Sequence, residues 1–144
     1  MPYDERLVAP MREELTRVGF EEWRSADQVK EGIGKQKGTT LVVVNSVCGC
    51  AAGMARPGVV HAVNEGIKPD HLATVFAGQD LEAVATLRAM LSDIPPSSPS
   101  MALFKDGEIV WFLPRHQIEG RSAADVSNSL KTAFDRFCQK EKIA

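Results

Sequence analysis

Cys48 and Cys50 flank a single glycine in the run Asn45-Ser46-Val47-Cys48-Gly49-Cys50. Two thiols at that spacing suit disulfide exchange, in which a thiolate attacks a disulfide sulfur and a neighbouring thiol displaces what it captured. For the two to bond to each other, their Cα atoms must lie within roughly 7 Å, with the side chains turned together. An extended segment meets that limit poorly, whereas a turn centred on Gly49, which has no Cβ to resist it, meets it better. The ring closed is small, so the sequence predicts a relatively oxidising bond.

Two plainer uses stand beside this one. Cys-Gly-Cys is also half of a zinc site, but structural zinc takes four ligands. Only Cys138, His61, His71 and His116 remain to supply the others, none at ligand spacing. The cysteines would otherwise be incidental core residues. No metal is expected, and Cys138, near the end of a helical pattern, is expected to be packing or a surface thiol.

The elements that must position the pair are readable from periodicity. Leu7, Met11, Leu15 and Val18 predict an amphipathic helix over 5–18, ended by Gly19. Phe20 to Trp23 alternates as a short edge strand would. Ser25 and Gln28 have the spacing of a capping box that opens a helix near 26. Thr39 to Asn45 is β-branched and apolar without alternation, as in a central strand buried on both faces. The cysteines follow at once and lead into a helix over 51–65, bent or broken by Pro57. They thus fall where a buried strand meets a helix N-terminus, whose unpaired N–H groups favour a thiolate.

Leu72 to Ala77 predicts a second buried strand, and Asp80 caps a helix with Leu81, Val84, Leu87, Met90 and Leu91 on one stripe. Residues 94–100, with Pro95, Pro96 and Pro99, are irregular. Strands over 101–104 and 109–113 are joined through Asp106-Gly107, a hairpin signal. Ser122 opens a last helix carrying Val126, Leu130, Ala133, Phe134 and Phe137. Strands alternating with helices and ending in a hairpin predict an α/β fold in one domain, residues 1–144, with a mixed central sheet and helices on both faces.

Composition restricts the function. With 144 residues, 44% hydrophobic, 25% charged and a net charge of −2, the chain has the make-up of a globular domain without a basic surface for nucleic acid or an anionic membrane. No apolar run is of membrane-spanning length, and the N-terminal residues have neither the charge nor the apolar stretch of a secretory signal. A cytoplasmic location is therefore expected, where thiols are kept reduced and cysteines serve reactivity more than stapling.

Residues 44–57, Val-Asn-Ser-Val-Cys-Gly-Cys-Ala-Ala-Gly-Met-Ala-Arg-Pro, closely resemble the signature of the bacilliredoxin family, thioredoxin-like proteins bearing Cys-Gly-Cys. The resemblance continues through Ser97-Ser98-Pro99-Ser100 and Pro114-Arg115-His116-Gln117-Ile118-Glu119-Gly120-Arg121. It implies a thioredoxin-like fold and reduction of mixed disulfides between proteins and the small thiol bacillithiol, which acts as co-substrate with no bound cofactor. Disulfide isomerase activity is also associated with such proteins. In the wider superfamily a cis-proline faces the cysteines, and Pro99 matches it. One departure is plain: a single residue, not the superfamily's usual two, separates the cysteines.

On this resemblance Cys48 is expected to be the nucleophile and the more exposed sulfur, with Cys50 resolving. Pro99, Ser98 and Gly49 are expected to meet the substrate. Arg56 either holds a substrate carboxylate or is a solvated helix residue. His116, Glu119 and Arg121 are expected to fix their loop or meet a partner. The partners implied are S-thiolated or disulfide-containing client proteins, the small thiol, and through an exposed Trp111-Phe112-Leu113 edge a second copy of the chain. A general isomerase using the same pair and a non-catalytic thioredoxin-like adaptor are the competing functions.

Overall fold

The computed structural model describes residues 2–34 and 37–138. Its centre is a five-stranded sheet in the order β1-β3-β2-β4-β5, with β1 at Glu21–Glu22, β2 at Thr39–Asn45, β3 at His71–Phe76, β4 at Ser100–Lys105 and β5 at Glu108–Leu113. The first three strands are parallel, β4 runs antiparallel to β2, and β5 antiparallel to β4. Helices α1 (Glu5–Thr16), α3 (Arg56–Val63) and α5 (Ala123–Phe137) cover one face, while α2 (Ala26–Gly34) and α4 (Leu81–Met90) cover the other.

This layering explains the apolar run of β2. Leu41 and Val43 enter the core beneath α1, α3 and α5, Val42 and Val44 enter the core beneath α2 and α4, and all seven strand residues are buried. Each large aliphatic side chain so enclosed contributes about 1.5–3 kcal/mol. The hairpin turn is Asp106-Gly107, at φ 50° and 85°, the positive values that a two-residue turn between twisted strands requires. Two of the predicted helix starts carry reciprocal caps, Ser25 with Gln28 and Ser122 with Asp125.

Four expectations need correction. Helix α1 buries Val8, Arg12 and Leu15, while Leu7 is exposed. Its stripe is turned by one residue because Arg12 reaches inward to Asp80, donating from Nη2 to Oδ1 at 2.7 Å and from Nη1 to Oδ2 at 2.9 Å. For the same reason Asp80 does not cap α4 with its side chain; Oδ2 also accepts from the Phe76 N–H at 3.1 Å. On α4 the buried face is Ala83, Val84 and Leu87, followed by Leu91, with Leu81 and Met90 exposed. The edge strand β5 is less open than expected, since Trp111 and Phe112 are half-buried against opposite faces and Leu113 is buried.

Candidate active site

Strand register gathers the site. At the end of β2, Val44 pairs with Ser100, the first residue of β4, and Met101 pairs with Leu113, the last residue of β5. The segments after β2, before β4 and after β5 therefore meet at one end of the strands: Ser46 to Cys50, Ser97 to Pro99, and Pro114 to Glu119. The Ser98–Pro99 peptide bond is cis and Pro99 is buried.

Cys48 closes the turn onto the helix. Its carbonyl accepts from the N–H groups of Ala51 and Ala52 at 3.1 and 3.2 Å, and its own N–H donates to Ser46 Oγ at 3.3 Å. From Ala51 to Ala55 the helix is a wide π-helical turn, in which the Arg56 N–H reaches the Ala51 carbonyl five residues back. Pro57, lacking an N–H and crowding the preceding turn, accounts for the distortion at this point.

The two sulfurs differ in their surroundings, although both residues are half-buried and exposure does not single out Cys48 as expected. Burial pushes the Cys48 thiol up, but hydrogen bonds from the Ser46 hydroxyl, the Ala51 and Cys50 N–H groups and the Cys50 thiol outweigh it and hold its pKa below the ordinary thiol value. Cys50 is pushed up, by burial first, then by the Cys48 charge and hydrogen bond and by Glu119, with Arg115 opposing. Titrating alkylation by iodoacetamide is expected to give a lower midpoint for Cys48 than for an unstructured peptide thiol, and a higher one for Cys50. Peptide mapping at each pH distinguishes the two; coincident midpoints would contradict the asymmetry.

Arg56 fits neither of its expected uses. It is 2% exposed, and Nη1 donates to Asn45 Oδ1 at 3.0 Å and to the Ser46 carbonyl at 2.7 Å, while Nε donates to Glu14 at 2.9 Å. The extra residue of the π turn rotates the rest of the helix by about 100° relative to a regular one. Arg56 so faces the core and grips the segment leading into the cysteines. Gly49 needs a different account from the one expected: it does not take up positive φ, and a Cβ there would meet nothing within 4 Å.

Arg115 is the site residue that sequence reasoning passes over. Its Nη1 donates to the Ser98 carbonyl at 3.2 Å, its Nη2 lies 3.8 Å from Cys50 Sγ, and its Nε pairs with Glu119 at 3.4 Å. Its backbone N–H donates to Ser97 Oγ at 3.2 Å. The signal available is its position two residues past the strand that ends beside the cis-proline segment. His116 and Arg121 are exposed.

Cys138 stands apart. It contacts Thr39, the first residue of β2, whereas Cys48 follows the last, so about 20 Å of strand separates them. Burial pushes its thiol up, consistent with the packing expected of it. Among the described residues no three His, Cys, Asp or Glu side chains gather as a metal site requires, and no described helix is long and apolar enough to cross a membrane.

Comparison with known proteins agrees with this geometry. The chain matches the family described as disulphide isomerase over residues 3–138. It is 50% identical to a bacilliredoxin of Shouchella clausii over 143 residues, covering 97% of this chain and 99% of the relative. It is 54% identical to a bacilliredoxin of Bacillus cereus over 137 residues, covering 94% and 95%. Among solved structures it resembles the thioredoxin of Malassezia sympodialis, with TM-score 0.60 at 14% identity over 84% of this chain and 92% of that one. It also resembles the thioredoxin of Fasciola hepatica, with TM-score 0.56 at 19% identity over 82% and 99%. A thioredoxin fold, shared with distant structures, and half the residues of these relatives, shared over nearly the whole chain, make this protein a member of the bacilliredoxin family and a thiol–disulfide oxidoreductase.

Proposed function

We propose that this oxidoreductase reduces mixed disulfides between client proteins and bacillithiol, with Cys48 as nucleophile and Cys50 as resolving thiol. The observation that carries the reading is the opposite bias on the two sulfurs: hydrogen-bond donors converge on Cys48, while burial and neighbouring negative charge keep Cys50 protonated. A thiolate at Cys48 attacks the bacillithiol sulfur, the client's sulfur leaves and takes a proton, and Cys48 holds the small thiol as a mixed disulfide. Cys50, deprotonated, then attacks Cys48 and releases bacillithiol, leaving the Cys48–Cys50 disulfide. A further low-molecular-weight thiol or a dithiol reductant returns the pair to its starting state.

In this reading Ser98 and Pro99 offer extended backbone to the client beside the pair. The bare Cα of Gly49, exposed between the cysteines, leaves the outer side of the turn open to an incoming disulfide. The small thiol is a co-substrate, no resident cofactor is required, and residues 1–144 act as one domain in the cytoplasm.

The family description favours a second reading, reshuffling of disulfides within misfolded proteins by the same pair. Initial rates on a bacillithiolated test protein and on scrambled ribonuclease separate the two. The expected result is faster release of the client thiol from the first substrate. Reshuffling of ribonuclease with no release of bacillithiol would move the function to isomerase.

A further inference from the structure

We propose that Arg115 is the residue that activates Cys50, so that resolution begins only after Cys48 has captured its substrate. The proposal rests on the assignment of Cys48 as nucleophile and Cys50 as resolving thiol. Arg115 Nη2 lies 3.8 Å from Cys50 Sγ, within reach of a charged N–H···S hydrogen bond. The guanidinium is fixed there from two sides, by the Ser98 carbonyl and by Glu119, and its backbone is tied to Ser97. It therefore spans from the cis-proline segment to the second cysteine and does not depend on substrate for its placement.

Among the described residues, the charged and titratable groups that act on Cys50 are Cys48 on its own turn, and Arg115 and Glu119 after β5. In the reduced protein the Cys48 thiolate and Glu119 oppose ionisation of Cys50, and Arg115 alone favours it. Formation of the Cys48 mixed disulfide removes one negative charge, because a disulfide sulfur carries none. Glu119, already paired with Arg115, then remains the sole opposing charge. The balance turns toward a Cys50 thiolate at the moment one is needed. That thiolate donates its electron pair to Cys48 Sγ, the Cys48–bacillithiol bond breaks, and bacillithiol leaves as a thiolate that takes a proton from water. The cysteine pair is oxidised by two electrons and the captured thiol is reduced.

Rapid acid quench with intact-protein mass spectrometry, after mixing with a bacillithiolated test protein, resolves the reduced, mixed-disulfide and internal-disulfide forms of the enzyme. The variants are Arg115→Gln, Arg115→Lys and Cys50→Ser. The expected result for Arg115→Gln is a first exchange within about twofold of wild type and a resolution step about tenfold slower at neutral pH, recovering toward the wild-type rate at alkaline pH. Arg115→Lys, which keeps the charge but not the fork, is expected to fall between them. Resolution at the wild-type rate in Arg115→Gln while Cys50→Ser stalls would overturn the role of Arg115 and leave the cysteine assignment standing. A slowed resolution that alkaline pH does not rescue would likewise overturn it, as would a loss confined to the first exchange, which would instead make Arg115 a substrate contact. Resolution by Cys50→Ser at the wild-type rate would remove Cys50 from the step altogether.

Discussion

A Cys48→Ser protein is expected to reduce a bacillithiolated substrate about a hundredfold more slowly than wild type or worse, while Cys50→Ser completes the first exchange and stops. The two thiols are separated by one residue, yet their environments make them unequal. Cys48 sits at the start of a helix, with the Ser46 hydroxyl and the Ala51 and Cys50 N–H groups aimed at its sulfur, so it is more readily the thiolate than an ordinary thiol is. A serine hydroxyl there ionises far too weakly to attack a disulfide. Cys50 is a poor substitute: losing Cys48 lifts one cause of its raised pKa, as substrate capture does, but burial and Glu119 remain and no disulfide is held at residue 48 for it to attack intramolecularly. In Cys50→Ser the mixed disulfide should accumulate in stoichiometric amount, visible as the mass of one bacillithiol on the Cys48 peptide. Retained turnover in Cys48→Ser with loss in Cys50→Ser would reverse the two roles.

The pair and its frame are legible in the sequence because they depend on local chemistry. Six apolar or β-branched residues, Thr39 to Val44, announce a strand buried on both faces, and a glycine between cysteines at the next turn announces exchange. Asp106-Gly107 announces the hairpin that brings β5 alongside β4. The features that sequence does not show depend on groups far apart in the chain. Arg12 reads as the polar flank of an apolar stripe until Asp80, 68 residues later, receives it in the core. Arg115 reads as a loop cation until the antiparallel register, with its irregularity between Leu103 and Phe104, sets the end of β5 beside Ser98. Gly49 reads as relief for a tight turn, but its backbone makes no turn that needs a glycine. Arg56 is hidden for a different reason: helical periodicity presumes a regular helix through Ala51 to Ala55, and the π turn there changes which way every later residue faces.

That inward turn gives Arg56 the largest expected effect on stability of any site residue outside the cysteines. Replacing it by methionine keeps most of the length of the side chain and removes the charge and its donors. The Ser46 carbonyl then loses its donor at 2.7 Å inside the protein, and Glu14 loses its partner. Asn45 is less affected, because its Oδ1 still accepts from the Ser46 N–H at 2.8 Å and its Nδ2 still donates to the Met11 carbonyl at 3.1 Å. A stranded buried carbonyl and a broken charge-assisted contact together cost about 2–4 kcal/mol, which lowers the melting temperature by about 10 °C in a chain of this size. Glu14→Gln is the contrasting variant. Its side chain is 39% exposed, so loss of that half of the ion pair is expected to cost under about 1 kcal/mol. Arg56→Lys recovers only part of the loss, since an ammonium does not reproduce the fork that reaches Asn45, Ser46 and Glu14 together. The consequence for chemistry passes through Ser46, whose carbonyl Arg56 holds and whose hydroxyl supports Cys48. Loosening that residue should carry the Cys48 pKa back toward the ordinary thiol value, slowing the first exchange several-fold at neutral pH and shifting its alkylation midpoint upward. A substrate-binding role would raise KM and leave that midpoint in place. An Arg56→Met protein that melts within about 2 °C of wild type, with an unshifted midpoint, would show that the turn holds itself without the arginine.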